Sequence, residues 1–290
     1  MPTIKEYKAK LKSLANTKKM TRTMKLVSAS KLRQIHHKQI NAKHYARELT
    51  GLIARLSASV DSTSHPLLFA RYPVKKLLIV VISSDKGLCG GFNNNLIKKI
   101  FNWLKEMKGR YEHIEMICCG KRGWMAFRNH LAIKKNYEGL ATKFDFMATR
   151  RMADDLREAF CSGNCDEVYI AFNRFNNPLS QVPAIEKILP IQSSELLDQG
   201  GATASDYILE PGQEELLQSL VQTFFYYKIY YTLLENSAGE HGARMTAMDK
   251  ATQNATDLIA KYTLLRNRAR QAAITKELIE IISGAEALKN

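Results

Sequence analysis

The chain has 290 residues, of which 45% are apolar and 24% charged, with a formal net charge of +15. That apolar fraction is sufficient for a buried core in one or two domains. The sequence contains no stretch of about 20 apolar residues, which argues against insertion into a membrane. The positive charge is concentrated at the start, because residues 1–50 hold 13 Lys and Arg against two Glu.

The N-terminal segment predicts one long helix. Residues 3–50 contain neither Gly nor Pro, so they can form a rod of about 70 Å at roughly 1.5 Å per residue. Apolar residues begin a seven-residue repeat, the period of a coiled coil, and resume it after a break. They are Ile4, Tyr7, Leu11 and Leu14, then Tyr45, Leu49, Leu52 and Leu56. Between them a stutter in the seam is predicted, because the apolar residues there are out of phase. These are Met20, Met24, Val27, Leu32 and Ile35.

The middle of the chain predicts an α/β domain. Apolar runs of strand length alternate with amphipathic segments at the spacing of crossover units, so a small, largely parallel sheet is expected. The predicted strands are 76–82, 114–119, 131–136 and 167–172, and the predicted helices lie around 96–104, 124–127 and 147–160. Residues 181–191 predict a further strand, which Pro183 and Pro190 would keep at an edge of the sheet.

The C-terminal segment predicts a second long helix, since no proline follows Pro211. A sustained seven-residue repeat indicates a coiled coil in this segment. Its positions are Leu217, Leu220, Phe224, Tyr227, Tyr231, Leu234, Ala238, His241, Met245, Met248, Thr252, Ala255, Ile259 and Tyr262. The two ends therefore predict a paired helical shaft that is closed by an inserted domain. A helical hairpin within an ordinary bundle is the alternative.

One loop carries the strongest argument for an enzyme. Residues 83–93 follow a predicted strand, precede a helix and include three glycines, so helix N-terminal amides there could receive an anion. The loop lacks the Gly-Lys-Ser/Thr of a phosphate loop and the glycine spacing of a dinucleotide site. A turn followed by a helix cap, with Asn93 or Asn94 as the capping residue, is the favoured interpretation.

The five cysteines show no paired metal-binding spacing. Cys161 and Cys165 are four residues apart, but two further ligands for a metal ion are not evident. No secretory signal is recognised, so the expected compartment is the cytosol, where thiols stay reduced. The sequence therefore predicts no catalytic, cofactor-binding or metal-binding residue.

Five motifs are spread along the chain. They lie at 16–33, 85–91, 180–183, 240–248 and 267–285. Together they closely resemble, in the same order, the motifs of the gamma subunit of rotary F-type ATP synthases, and they span nearly the whole chain. Chance does not account for a resemblance of that length and order.

This resemblance implies an α/β fold with a long antiparallel coiled coil of the N- and C-terminal helices, 1–58 and 212–290, and an inserted small Rossmann-like foot domain at 74–210. It implies a central-stalk rotor that transmits torque between a membrane ring of c subunits, the c-ring, and three alpha and three beta subunits. Ion flow would thereby be coupled to ATP synthesis or hydrolysis. The implied partners are these subunits and the epsilon subunit, with one copy of the chain per complex and no chemistry or cofactor of its own.

The resemblance also assigns roles to residues. Coupling and contact with the beta subunits are expected at Met24, Lys86, Cys89, Arg244, Arg270, Gln271, Thr275 and Glu277. Foot contacts with the epsilon subunit and the c-ring are expected at Tyr207 and Glu210. The apolar tip at 272–288 is expected to lie in a sleeve without strong directional bonds. The expected location is peripheral, on the cytoplasmic face of a bacterial inner membrane.

Two other functions follow from the residues alone. A basic coiled coil could bind nucleic acid, with an affinity that falls steeply with salt, whereas the resemblance implies no nucleic-acid partner. A nucleotide-dependent enzyme would bind ATP as an isolated chain, through the loop at 83–93.

Overall fold

A computed structural model of the chain describes residues 3–57, 65–140, 146–191 and 212–287. Two helices are far longer than the others, α1 (Ile4–Ser57) and α5 (Gln213–Ala287). Between them lie β1 (Lys76–Ile82), α2 (Phe92–Glu106), β2 (His113–Cys119), α3 (Lys121–Phe127), β3 (Ala132–Tyr137), α4 (Phe146–Cys161), β4 (Glu167–Asn177) and β5 (Ser180–Leu189). The strands and helices predicted for the middle segment are confirmed.

The chain divides into two compact units, one of Met1–Ser28 with Arg244–Asn290 and one of Ala29–Ala243. In the first unit α1 and α5 run antiparallel. The ring centroids of Tyr7 and Tyr262 are 6.3 Å apart, and Lys25 Nζ lies 2.5 Å from Asp249 Oδ1. Residue numbers rise along α1 as they fall along α5, which defines the antiparallel pair.

The stutter predicted in the N-terminal seam is wrong. Thr21 and Ser28 are buried, with 8% and 2% exposure, whereas Met20 and Val27 are 65% and 51% exposed. The Thr21 and Thr252 hydroxyl oxygens share a hydrogen bond of 2.7 Å. The repeat therefore continues in phase, with steps of three and four, through Leu14, Lys18, Thr21, Lys25 and Ser28. The prediction failed because it followed apolar residues, whereas most of the side chains in this part of the seam are polar.

In the second unit the same two helices also pair antiparallel. The rings of Tyr45 and Tyr227 stack with centroids 4.2 Å apart, and Ile35 packs in one cluster with Leu234. Every position predicted for the C-terminal repeat is buried or partly buried. The seven-residue repeat of α5 is therefore confirmed.

The sheet lies in the second unit, with the strand order β3-β2-β1-β4-β5. The pairs of β1 with β2, β1 with β4, and β2 with β3 are parallel, and β5 pairs antiparallel with β4 at one edge. The predicted largely parallel sheet and its edge strand are confirmed. Because the chain continues on opposite sides of β1, the strand order reverses between β1 and β4, which is a topological switch point.

Alternate residues of β1 face two separate layers. Leu78, Val80 and Ile82 belong to a core that includes α4 and the terminal helices. Ile79 and Val81 belong to a second core, formed with α2 and α3. Both faces of the strand are therefore covered, which accounts for its continuous apolar sequence.

Candidate functional site

The loop between β1 and α2 lies at the carboxyl end of the sheet and rests on the start of α3. The Gly123 N–H donates to Ser83 Oγ at 2.8 Å, and the Lys121 N–H donates to Asp85 Oδ1 at 3.1 Å. Helix N-terminal amides are the groups that would receive an anion. In α3 these two amides are already bound within the chain.

The cap predicted at Asn93 or Asn94 is wrong. Helix α2 begins after Gly91, and no side chain caps it. The Asn93 side chain returns to the loop instead, where Nδ2 donates to Ser84 Oγ at 2.7 Å and to Cys89 Sγ at 3.2 Å. Its Oδ1 accepts the Ser84 N–H at 3.1 Å. Because Ser84 and Asn93 are buried, this network fixes the loop backbone.

The loop exposes Lys86 and Leu88 but buries Cys89. The Leu88 side chain is 63% exposed, whereas that of Cys89 is 2% exposed and packs with Phe92 and Ala243. Lys86 is therefore accessible at the surface of the loop, and its contact with a beta subunit stays a prediction. A contact of Cys89 with a beta subunit stays a prediction, and in this chain the thiol lies inside the loop.

The crevice at the switch point is filled by α5. The Asn173 N–H donates to Asn236 Oδ1 at 3.1 Å, and Asn173 Nδ2 donates to Phe92 O at 3.4 Å. A Cβ at Gly239 would lie 3.0 Å from the Phe92 ring. Doubly wound proteins bind nucleotides at this position. Here the chain's own helix occupies it, so the geometry does not support a nucleotide site in this crevice.

The β4–β5 hairpin also packs on α5. The Phe175 N–H donates to Glu235 Oε1 at 3.3 Å. A Cβ at Gly242 would lie 3.1 Å from Pro178 Cα and 3.3 Å from the Phe175 ring. We call this contact, between residues 173–181 and 235–242, the hairpin clamp. It attaches the sheet to the long helix through hydrogen bonds and close backbone approach.

Sequence interpretation did not find the hairpin clamp. The available signal was Gly239 and Gly242 in the middle of a long predicted helix, where glycine costs about 1 kcal/mol relative to alanine. Glycine at such a position indicates close approach by another segment. The approaching segment, β4–β5, lies some 60 residues away in the chain, so no local pattern identifies it.

Glu235 makes the hairpin clamp sensitive to pH. Burial raises the pKa of its carboxyl, and the Phe175 N–H and Arg174 offset this only in part. The stability that this group contributes is full below its ordinary pKa of 4.5, and it is lost as the pH rises through the raised pKa of the folded chain.

Glu235→Gln is expected to remove that loss. The free energy of unfolding of the variant, relative to that of the original chain, should be larger at about pH 8 than at about pH 5 in urea unfolding. Glu280→Gln, at an exposed position of α5, is the matched control. Equal differences at both pH values for Glu235→Gln would contradict the raised pKa.

The predicted coupling residues Met24 and Arg244 lie in the first unit. Met24 is partly buried, and Arg244 is 8% exposed. Lys25, next to Met24, pairs with Asp249, which is five residues after Arg244 and therefore about 7 Å along the helix axis. Met24 and Arg244 therefore lie less than two helical turns apart along the axis of the antiparallel pair. Their role in coupling stays a prediction.

The end of α5 extends beyond the start of α1. Tyr262 lies beside Tyr7, so roughly 20 residues of α5 continue past the partner helix. The predicted contact residues in this stretch are all exposed: Arg270, Gln271, Thr275 and Glu277. So are five large apolar residues: Ile274, Leu278, Ile279, Ile281 and Ile282. The described part of the predicted apolar tip is therefore a single exposed helix.

Tyr207 and Glu210, the predicted foot contacts, lie outside the described residues. Within the described ranges, His, Cys, Asp and Glu side chains form no cluster that could hold a metal ion. The same ranges contain no helix with the length and apolar character needed to cross a membrane.

The fold defines the class of this protein: two long terminal helices pair antiparallel, and an α/β domain is inserted between them in the sequence. Residues 3–288 match the family model described as ATP synthase. Curated proteins called ATP synthase gamma chain, from Geobacter metallireducens and Chlorobium limicola, are 40% and 39% identical over 289 and 294 residues, with 100% of both chains covered in each case. The chain belongs to the ATP synthase gamma chain family.

Solved structures share this fold. A cryo-EM structure of the central stalk and c-ring of Tetrahymena thermophila mitochondrial ATP synthase matches with a TM-score of 0.61 and 23% identity, covering 80% of this chain and 99% of the other. A structure of Euglena gracilis mitochondrial ATP synthase, comprising OSCP, F1 and c-ring, matches with a TM-score of 0.66 and 20% identity, covering 98% and 94%. The predicted fold class is therefore confirmed.

Proposed function

We propose that the chain is the central-stalk rotor subunit of an F-type ATP synthase. It transmits torque between a membrane c-ring and a hexamer of three alpha and three beta subunits, so that ion flow is coupled to ATP synthesis or hydrolysis. The observation that carries this proposal is α5, a helix of 75 residues. It is clamped to the sheet in the second unit and ends in an exposed apolar tip in the first. Membership of the gamma chain family supports the same function.

In this proposal the chain is a non-catalytic subunit. Each complex contains one copy of the chain. The copy has three parts: helices within 1–58 and 212–290 form the shaft, and a foot domain at 74–210 meets the epsilon subunit and the c-ring. Tyr207 and Glu210 are assigned to the foot contacts. The subunit is peripheral to the membrane, on the cytoplasmic face of a bacterial inner membrane.

Contacts with the beta subunits are assigned to three regions of the chain. They comprise Met24 and Arg244 in the helical pair, Lys86 and Cys89 in the loop, and Arg270, Gln271, Thr275 and Glu277 near the tip. The positive charge of residues 1–50 suits acidic surfaces on these partners. The alternative of a nucleic-acid-binding coiled coil is not supported by the family match.

Reconstitution with alpha and beta subunits tests the proposal. The full chain is expected to co-purify with them and to raise their rate of ATP hydrolysis. A chain that ends at Gln271 should still co-purify, because the paired helices remain, but its turnover should fall by about tenfold, or roughly 1.4 kcal/mol of transition-state stabilisation. A chain that ends at Gly284 keeps the exposed apolar residues and is the matched control. If the full chain neither co-purifies nor raises turnover, the rotor function is wrong.

A further inference from the structure

A cavity of about 510 Å³ lies between the end of α4, the start of α5 and the loop that precedes β1. Its volume is within the range of about 300–1,000 Å³ that is typical of small-molecule sites. Helix α4 contributes Arg157 and Cys161 to its walls, and the loop contributes His65. Four polar residues of α5 also line it: Glu215, Gln218, Ser219 and Gln222. None of these residues is assigned to a rotor contact, so the proposed function leaves the cavity unexplained.

The walls of the cavity are held together by hydrogen bonds. His65 Nδ1 accepts the Leu67 N–H at 3.1 Å, and the His65 ring also hydrogen-bonds to the Gln218 backbone. Burial lowers the pKa of His65, so its ring is neutral near pH 7, with one nitrogen that accepts and one that donates. Arg71 Nη2 donates to Cys161 O at 3.0 Å. The loop is therefore attached to both helices, and the cavity is preformed.

Arg157 brings to the cavity a positive charge that is incompletely paired. Its side chain is 40% exposed, and Asp154 Oδ1 lies 3.8 Å from its Nε, which is too far for a hydrogen bond. That oxygen accepts the Tyr226 hydroxyl instead. Within the described part of the chain, Arg157 Nε is buried and has no hydrogen-bond partner. Such unsatisfied donors are rare in native proteins, and an anion in the cavity would supply the missing acceptor.

The arrangement of donors favours a phosphate group over a carboxylate. The planar guanidinium of Arg157 matches the oxygens of either group. Its helix forms one wall, however, whereas the Ser219 hydroxyl and the Gln218 amide belong to another. A tetrahedral phosphate presents oxygens to both walls at once, whereas the two oxygens of a planar carboxylate point to one side. The remaining polar groups of α5 suit the hydroxyls of a polyol.

We propose that this cavity binds the phosphate ester of a small polyol, with Arg157 as the main anion-binding residue. The ester can be free in solution or belong to the headgroup of an anionic lipid, since both present the same group. Glu215 also lines the cavity, but it is exposed, so water and salt screen its repulsion of an anion. The cavity is built within the second unit alone. The proposal therefore does not depend on the rotor function.

Cys161 provides a reporter for the test. It is the one exposed cysteine of the five and lines the cavity, so iodoacetamide should alkylate the isolated chain mainly at this thiol. Glycerol 3-phosphate is expected to slow that alkylation by occupying the cavity. The measured quantity is the concentration of glycerol 3-phosphate that gives half-maximal protection.

Three variants of the lining and one control define the site. Arg157→Gln is expected to raise the half-maximal concentration about tenfold, because a charge-assisted hydrogen bond is lost. Arg157→Lys should raise it less, since lysine keeps the charge without the planar fork. Glu215→Gln should lower it, because a repelling carboxylate is removed. Arg151→Gln, at an exposed position of α4 outside the cavity, should leave it unchanged.

Vesicles distinguish the two sources of the ester. Protection by phosphatidylglycerol vesicles, with none by phosphatidylcholine vesicles, would identify a lipid headgroup, and protection by glycerol 3-phosphate alone would identify a free ester. Absence of protection by both would overturn the proposal, as would equal protection of the original chain and Arg157→Gln. If Arg157→Gln lowers the thermal midpoint, the other two variants decide. Shifts of Arg157→Lys and Glu215→Gln in the same direction, or no shift in either, would then overturn the proposal.

Discussion

Gly120→Ala is expected to lower the free energy of unfolding by at least about 4 kcal/mol, measured by urea unfolding of the isolated chain. Gly120 has a φ of +107°, and a Cβ there would lie 2.2 Å from Ser83 O. The strained φ alone costs about 1–3 kcal/mol. The overlap adds to this, because Ser83 is fully buried and its N–H donates to Cys119 O at 2.8 Å, so neither strand end can move freely.

Gly109→Ala and Gly139→Ala are matched controls for this substitution. Both glycines have positive φ, +91° and +76°, but a Cβ at either would meet no atom within 4 Å. Each variant should therefore show the strain alone, about 1–3 kcal/mol. Equal losses in all three variants would show that the overlap with Ser83 is unimportant. Because Ser83 begins the loop that carries Lys86, Gly120→Ala should also weaken the stimulation of alpha and beta subunits.

Gly242→Leu is expected to uncouple the rotor by opening the hairpin clamp. A side chain at Gly242 would meet Pro178 Cα, a backbone atom, at 3.1 Å and the Phe175 ring at 3.3 Å. Overpacking of this kind costs about 1–3 kcal/mol and would displace the hairpin from α5. In a reconstituted complex, ATP hydrolysis should continue while the ion transport that is driven per ATP falls, because a displaced hairpin no longer holds the sheet to α5.

The stability of the isolated chain separates this effect from helix propensity. Gly284 is also a glycine within α5, but a Cβ there would meet no atom within 4 Å. Gly284→Leu should leave the chain equally or more stable, because leucine is the better helix former by about 0.8 kcal/mol. Gly242→Leu should lower the thermal midpoint, and Gly242→Ala should give an intermediate result. If the transport ratio is unchanged in a folded Gly242→Leu complex, the hairpin clamp does not carry torque.

Much of the fold could be predicted because the local composition of each segment determined its secondary structure. The buried strand β1 was expected at 76–82 and spans Lys76–Ile82, since a parallel strand with both faces covered reads as a continuous apolar run. Likewise the absence of Gly and Pro from residues 3–50 correctly predicted α1, and the absence of proline after Pro211 correctly predicted α5. In each case local composition and burial favour the same structure.

The rest depends on partners that are remote in sequence. Thr21 takes a seam position because a second hydroxyl, that of Thr252, lies opposite it, whereas hydropathy alone favours Met20. Within the loop, Cys89 is buried because Ala243, remote in sequence, packs against it, and Leu88 is left exposed. Hydropathy ranks residues one at a time, but burial in a paired helix or a tight loop is decided by the residue that lies opposite.

The exposed tip of α5 has a consequence for how the complex is made. Among the described residues, roughly the last 20 of α5 have no partner from α1, and they present Ile274, Leu278 and Ile281 to solvent. A contiguous apolar surface of this kind promotes self-association until another protein covers it. A newly synthesised chain is therefore least prone to self-association when the proposed alpha and beta partners are already present. In the proposed rotor, the apolar tip that enters the hexamer would therefore also make balanced production of the subunits an advantage.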